Sequence, residues 1–415
     1  MPLQSIIRWV GERTLYPTGA QQLAFDPECF EPALRTRLLI LQPTPFCNID
    51  CDYCYLPSRA SAVRMSIKTL KMAAQRLCED NLLPPELTAV WHAGEPLVMP
   101  VSWYEEAFGV LNELLGSACR VTQSIQTNAT LIDDHWCRLF QQHRVQIGVS
   151  IDGPADLHDA HRRTRQGKGT HAQVLRGMAT LRAHGIAFHA IAVVTPATFD
   201  AVDRFADFFE ANPVTELGCN VDEAEGGHAQ SSLAGHEAAH GRFLLRLLER
   251  SRKPGSGLRV RELANAMHLI ARPLPKTQWR GRSWPLNAQV RPFEFVNIAH
   301  DGSWNTFSPE LLGQSAPAYG DFVFGNVHDA GYLAGAKSES FRRTWDGIAR
   351  GIDVCEQQCA HFAYCGGGAP VNKLYENGSF DSGETLYCRS MLKRPFNLVL
   401  EKLEHDRSQA SEAVA

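Results

Sequence analysis

The chain has 415 residues, 44% hydrophobic and 21% charged, the composition of a folded protein of roughly two to three domains and not of a disordered one. Its net charge of −4, from 41 basic and 45 acidic residues, gives no broad field for nucleic acid or an anionic membrane. No apolar run reaches the ~20 residues of a spanning helix, and MPLQSIIRWVGERTLYPTG lacks the apolar core and cleavage site of a signal peptide, so the expected location is the cytoplasm.

Along the chain, Leu38–Thr44 is the first strand, continuous, apolar and closed by Pro43 and Pro45. Ser66 caps a helix in which Ile67, Leu70, Ala74 and Leu77 recur at helical spacing. Leu87–Trp91 is a second strand, followed by a helix over Trp103–Leu115. Val121–Gln126, Val145–Ser150, His189–Thr195 and Glu216–Val221 read as further strands, separated by amphipathic runs at Asp133–His143, His171–His184 and Thr198–Asn212. Another helix follows at His236–Arg250. This alternation predicts parallel β/α units, about six in number, forming an α/β partial barrel with its site at the carboxyl ends of the strands.

The expected organisation is an N-terminal extension over 1–36, the partial barrel over 37–252, a bridge over 253–292, a cysteine-bearing domain over 293–395, and a C-terminal helix and frayed tail over 396–415. Asp301-Gly302 predicts a hairpin within the fourth of these.

Seven of the twelve cysteines fall in two groups. Disulfides are not expected in a reducing compartment, whereas grouped thiols read as metal ligands. Cys47, Cys51 and Cys54 lie just after the first strand. Three thiolates on one loop hold three irons of a 4Fe–4S cube and leave the fourth open, where four cysteines are the norm. A zinc knuckle with a distant ligand, or three core thiols, are the bland alternatives.

CxxxCxxC at the end of the first strand of a β/α barrel resembles the radical S-adenosylmethionine (SAM) family. The resemblance implies a 4Fe–4S cluster whose open iron is chelated by SAM, and an adenosyl radical that abstracts hydrogen from a substrate. His92-Ala93-Gly94-Glu95-Pro96 resembles that family's GEP motif, whose backbone and Glu95 are implied to meet the SAM amino group. By the same resemblance Ser150 and Arg162 take the SAM carboxylate, near Asp152, and Tyr53 belongs to the cluster loop. Gln126 and Asn128 face the same cavity if the barrel holds, and Val194 is placed for adenine packing. Ordinary turn chemistry and a solvated arginine explain several of these equally.

The second group, Cys355-x3-Cys359-x5-Cys365-x22-Cys388, suffices for one fully ligated auxiliary 4Fe–4S cluster or a four-cysteine zinc site. Beside a radical SAM core it resembles the SPASM domain. Such domains with two clusters have further cysteines where this chain has Phe307 and Ala369. One auxiliary cluster is therefore expected, in electron transfer or structural support.

Several strings resemble the cyclophane-forming radical SAM/SPASM peptide maturases of the Grr type: PTPFCNIDCDYCYLP, VWHAGEPLV, QTNATLIDD, SIDGPADLHDAHRRTRQGKGTH, FSPELLG, YGDFVFGNV, CGGGAPVNKLYENGSF and ETLYC. The resemblance implies a ribosomally made precursor peptide as partner, a flavodoxin- or ferredoxin-type reductant, and a bond between an aromatic ring carbon and a neighbouring β-carbon. Thioether formation, epimerisation and formylglycine formation share almost all of these features. From another class, a zinc-stabilised binding protein without catalysis remains the alternative. Asp222, Glu223 and Glu225 are candidates for meeting a basic or polar peptide segment, or form an exposed acidic turn. Trp304, Phe307 and Tyr364 either line a groove for aromatics or pack in the core. The remaining cysteines, and His228, His236 and His240, read as core thiols and helix-surface histidines, with Cys29 set apart by its irregular surroundings.

Overall fold

The computed structural model describes residues 25–414 apart from 57 and 227–229. The N-terminal extension as far as residue 24, and His228, lie outside the described residues. The strands, in chain order, are β1 (Phe30–Glu31), β2 (Leu38–Leu41), β3 (Glu86–Trp91), β4 (Arg120–Thr127), β5 (Gln146–Ser150), β6 (Phe188–Val194) and β7 (Leu217–Val221). They continue with β8 (Lys276–Trp279), β9 (Arg282–Pro285), β10 (Phe295–Ile298), β11 (Ser303–Thr306), β12 (Ser315–Ala316), β13 (Gly320–Asp321) and β14 (Gly325–Asn326).

Strands β2 to β7 pair side by side, in chain order and all parallel. A helix intervenes between each successive pair, as the β/α rhythm requires. Local chemistry sets the helix starts. Ser66 Oγ accepts from Thr69 N at 3.0 Å to open Ile67–Glu79, and Asp133 accepts from His135 N and Trp136 N to open Asp134–His143. The amphipathic run read as one helix over Thr198–Asn212 is two, Pro196–Asp200 and Val202–Ala211, broken at Ala201.

Two features lie outside local pattern. β10 adds to the free edge of β2 in parallel, with Leu38 opposite Phe295 and Leu41 opposite Ile298. β11 and β14 follow it, so the whole sheet has nine strands in the order β14-β11-β10-β2-β3-β4-β5-β6-β7. The hairpin β10–β11 does turn at Asp301-Gly302, with Gly302 at φ +87°. The stretch read as a bridge holds a helix, Arg261–Ala271, and a second hairpin, β8–β9, turning through Arg280 and Gly281 at φ +49° and +79°. That hairpin pairs with β1 and closes over an aromatic core in which Phe30, Trp279 and Trp345 meet.

Alternation divides the sheet into a helix-packed face and an inner face. Gln126, Gly148 and His189 are register neighbours on the inner face, and a Cβ on Gly148 would stand 2.5 Å from His189 Nε2. The expected C-terminal helix spans Arg394–Val414 after a wide turn at Cys388–Lys393, and so takes in most of the tail expected to fray. Among the described residues no helix is long and apolar enough to cross a membrane.

Candidate active site

The first cysteine loop leaves the end of β2 and is held from several sides. Asp50 N donates to Arg163 O at 2.7 Å and Ile49 bridges to Thr164. Arg59 Nη1 donates to Cys51 O at 3.0 Å, and Arg165 donates to Cys47 O at 3.0 and 3.1 Å. Asn128 Nδ2 donates to Asn48 Oδ1 at 2.9 Å and stands 3.9 Å from Cys47 Sγ. Arg165 and Asn48 were not singled out in the sequence, because contacts across 118 and 80 residues leave no local signal, and Arg59 lies beyond the motif it braces. Burial pushes the Cys47 thiol up to about 12 and Cys51 to about 11, so both keep their protons at neutral pH until a metal displaces them.

The GEP turn packs directly on this loop. Gly94 has φ +56°, and a Cβ there would lie 2.6 Å from Thr44 O. Glu95 N donates to Phe46 O at 2.8 Å and His92 N to Leu41 O at 3.0 Å. The Glu95 carboxylate is buried and accepts from Leu97 N (3.0 Å), Thr127 Oγ1 (2.6 Å) and Asn128 N (2.8 Å). It therefore ties the end of β3 to the end of β4. Burial pushes its pKa up to about 7 despite those three donors. Pro96 opens a short turn and accepts from Tyr104 OH at 3.2 Å. His92 is half-buried, desolvation pushes it down to about 4, and its buried Nδ1 is left without a partner.

A second network joins the other predicted residues. Asp152 accepts from Tyr53 OH at 2.6 Å and Val193 N at 2.9 Å, and from Arg162 at 2.9 and 3.0 Å. Arg162 also lies over the Tyr53 ring. Burial opposes ionisation of Asp152, yet the Arg162 charge and hydrogen bonds hold its carboxyl below the usual range. Gln126 Nε2 donates to Ser150 Oγ at 2.9 Å on the inner face. Val194 is fully buried in the hydrophobic core. Alternation places its neighbour Val193, not Val194, on the face that carries His189.

The second group of cysteines converges on one cavity of about 130 Å³, lined by Cys355, Cys359, Cys365 and Cys388 together with Ala369 and Lys373. Cys355 lies in the last turn of the helix Glu339–Gln358, and Gly366, Gly367 and Gly368 carry the chain away from Cys365 at φ +63°, +114° and +74°. Lys373 Nζ, buried, donates to Gly351 O at 2.8 Å and approaches Cys355 Sγ at 3.2 Å. Burial raises Cys359, but His361 and Lys393 outweigh it and lower the thiol. Among the described residues no three His, Cys, Asp or Glu side chains converge on a single-ion site. The thiolates of a cubane bind separate irons, so four cysteines around one cavity can hold a cluster without forming a single-ion site.

Other candidates land elsewhere. Trp304 and Phe307 are fully buried, Phe307 stacking on Trp345 at 6.3 Å and Phe341 at 6.1 Å, so they pack the core and line no groove. Tyr364 packs at a tilt against Phe396 at 4.5 Å and, with Tyr387 and Phe396, does line a cavity. Glu223 and Glu225 are largely buried and not an exposed turn. Glu310, which sequence pattern did not single out, joins them. His240, expected on a helix surface, is fully buried against Phe199 at 5.3 Å. Cys119, Cys137 and Cys219 are buried thiols, Cys78 is exposed, and the half-buried Cys29 donates to Asp26 at 3.2 Å.

Comparison with known proteins bears on this geometry. Residues 41–209 match the Radical SAM superfamily. The uncharacterized protein sll1766 of Synechocystis sp. is 38% identical over 376 residues, covering 89% of this chain and 92% of its own length. The serine-type anaerobic sulfatase-maturating enzyme of Bacteroides thetaiotaomicron is 29% identical over 228 residues, 51% of this chain and 53% of that enzyme. This chain thus spans about half the length of that relative. Native anSMEcpe with bound AdoMet has a TM-score of 0.70 at 20% identity, covering 89% of this chain and 98% of that one. SuiB of Streptococcus suis, bound to precursor peptide SuiA, has a TM-score of 0.58 at 15% identity, covering 86% and 76%. These two likenesses are of fold. The matched residues 41–209 carry the cysteine loop at the end of β2, and the chain belongs to the radical SAM superfamily.

Proposed function

We propose that this chain is a radical SAM peptide maturase with a SAM-binding 4Fe–4S cluster on Cys47, Cys51 and Cys54 and one SPASM-like auxiliary cluster on Cys355, Cys359, Cys365 and Cys388. The observation that carries it is the pairing of a three-cysteine loop at the carboxyl end of a parallel sheet with a four-cysteine cavity in the same chain. When bound, the first cluster and SAM supply an adenosyl radical that removes hydrogen from a substrate carbon. The chain's own residues position and shield. The Glu95 and Asp152 networks fix the loops around the thiols, Ser150 and Gln126 offer a hydroxyl and an amide on the inner face, and Arg162 adds a guanidinium. A flavodoxin- or ferredoxin-type protein is the proposed electron donor.

Two outcomes at the substrate are distinguished. The relatives with an assigned activity favour formylglycine formation, oxidation of a serine or cysteine side chain in a peptide to an aldehyde. The cyclophane crosslink is the second reading, favoured by the Grr-type strings and by Phe307, which occupies a packed core position instead of offering a thiol. Anaerobically reconstituted chain, SAM and dithionite incubated with serine-containing and aromatic-rich peptides separate them. Either product from a serine or aromatic peptide loses two hydrogens, but only formylglycine reacts with a hydrazide. Absence of 5′-deoxyadenosine under these conditions removes the whole reading.

A further inference from the structure

A cavity of about 620 Å³ is shared by the barrel and the cysteine-bearing domain, the size of a small-ligand site. The helix Arg261–Ala271 supplies one wall, with Arg261, Asn265 and Leu269 at successive turns. Cys365 and Cys388 border the cavity, and so does Asn220 of β7. Asn220 is the register partner of Val193, whose amide donates to Asp152. The cavity therefore reaches from the level of the Asp152 network to the second cysteine group.

Arg261 lies over the inner face of β7 because Gly218 leaves the space. A Cβ on Gly218 would stand 2.6 Å from Nη1 and 2.7 Å from Cζ of the guanidinium. Arg261 Nε donates to Glu262 Oε1 at 3.0 Å, and Nη2 donates to Glu262 and to Asn220. Nη1 donates to no described residue. Among the described residues Glu262 is the one carboxylate on the cavity wall, and its other oxygen is taken by Cys219 N at 3.0 Å. Two further cations, Arg37 and Lys393, line the cavity and are held by Glu294 and Glu384 from outside it. The side-chain amides of Asn265 and Gln289 and the hydroxyls of Tyr364 and Tyr387 make no hydrogen bond to a described residue, so the unused polar groups include many donors. Leu269, Leu286, Met391 and Phe396 make much of the remaining wall apolar. A guanidinium with an unused N–H edge, set in such a wall, matches a carboxylate carried on an apolar segment.

We propose that this cavity receives a carboxylate of the peptide substrate on Arg261, with an apolar neighbour of that carboxylate against Leu269, Met391 and Phe396, so that an acidic position in the peptide sets which residue meets the adenosyl radical. This rests on the reading of the chain as a peptide maturase and names the substrate feature it selects. An acidic side chain and a chain end offer the same chemistry to Arg261, and the test separates them.

Binding is measured apart from turnover. The reconstituted, SAM-loaded chain is titrated by calorimetry with decapeptides blocked at both ends, each holding one serine and one phenylalanine. A single Glu is moved through the other positions, and each Glu peptide is compared with its Gln counterpart. The Gln peptides are also measured with a free C-terminal carboxylate. The expected result is that a Glu peptide, or one with a free carboxyl end, binds at least about tenfold more tightly than its uncharged counterpart. The first outcome assigns the site to a side chain and the second to a chain end. In Arg261→Gln each pair should agree within about twofold. Gln289→Glu alters a side chain with no hydrogen bond to lose and should cut the preference at least about threefold by repulsion. It decides the matter if Arg261→Gln does not fold. Equal binding of every pair by the wild-type chain, no binding of any acidic peptide at millimolar concentration, or a preference that survives in folded Arg261→Gln overturns the proposal, as does one that survives in Gln289→Glu where Arg261→Gln does not fold. Product formed from Glu and Gln peptides alike, alongside equal binding, would leave the maturase reading standing while this one falls.

Discussion

Arg162 grips Asp152 in a buried two-point contact, Nε on Oδ2 at 2.9 Å and Nη2 on Oδ1 at 3.0 Å. The same carboxylate receives the hydroxyl of Tyr53 from the cysteine loop and the amide of Val193 from β6. One acidic side chain thus fixes the cysteine loop, the segment after β5 and the inner edge of β6 in a common frame. Removing one partner of such a pair leaves a buried charge without compensation.

Asp152→Asn is therefore expected to destabilise the folded chain by about 3 kcal/mol and to weaken SAM binding by roughly tenfold. Chemical denaturation and SAM titration of the reconstituted variant read the two effects separately. Wild-type values in both would mean that the pair does not organise the site.

Gly94 stands where a side chain has no room. Its φ of +56° already disfavours other residues, and the space for a Cβ is taken by the backbone of residues 44–46, which leads into Cys47. Gly94→Ala must push that backbone away. The expected outcome is loss of about four irons per chain while about four remain on the C-terminal group. Iron and sulfide analysis of wild type and variant checks this, and full iron content in the variant would sink it.

These two positions show what the sequence made legible. CxxxCxxC after an apolar strand, GEP after the next and Ser150 at the end of β5 are local patterns, and they point to the end of the sheet where the structure brings them together. The pairing of β10 with β2 was not legible, because Phe295–Ile298 is four residues long and its partner lies more than two hundred residues earlier. The β8–β9 hairpin was missed because its turn is Arg280-Gly281 and carries none of the Asn or Asp that usually marks two positive φ values. The roles of Arg165 and Glu310 depend on packing between distant segments. Polar residues at these places look like ordinary surface until the fold buries them.

Lys373 places a buried ammonium 3.2 Å from Cys355 Sγ. If the four cysteines hold a cluster, this donor stabilises its more reduced, more negative state. Lys373→Met should lower the reduction potential of the C-terminal cluster, by about 59 mV for each 1.4 kcal/mol of lost interaction in a one-electron step. The Cys47-loop cluster should keep its potential. Potentiometric titration followed by electron paramagnetic resonance resolves the two signals, and an unmoved auxiliary potential would rule out this role.

His158 gives the expected pH dependence. Its ring is fully buried, with Nδ1 accepting from Asp152 N at 3.3 Å and Nε2 facing Thr170 Oγ1 at 3.0 Å. Because Thr170 Oγ1 donates to Arg162 O at 2.8 Å, Nε2 is the nitrogen that carries the proton. Nδ1 must then stay unprotonated, and burial pushes the group from 6.5 down to about 4. The unfolded chain binds this proton below about pH 6.5 and the folded chain only near pH 4, so stability rises with pH between those values. It is complete above that window and about 2 kcal/mol smaller near pH 5. His158→Gln should remove most of that difference. Denaturant midpoints of wild type and variant near pH 7.5 and pH 5 measure it, and equal pH slopes in the two proteins would show that another group is responsible.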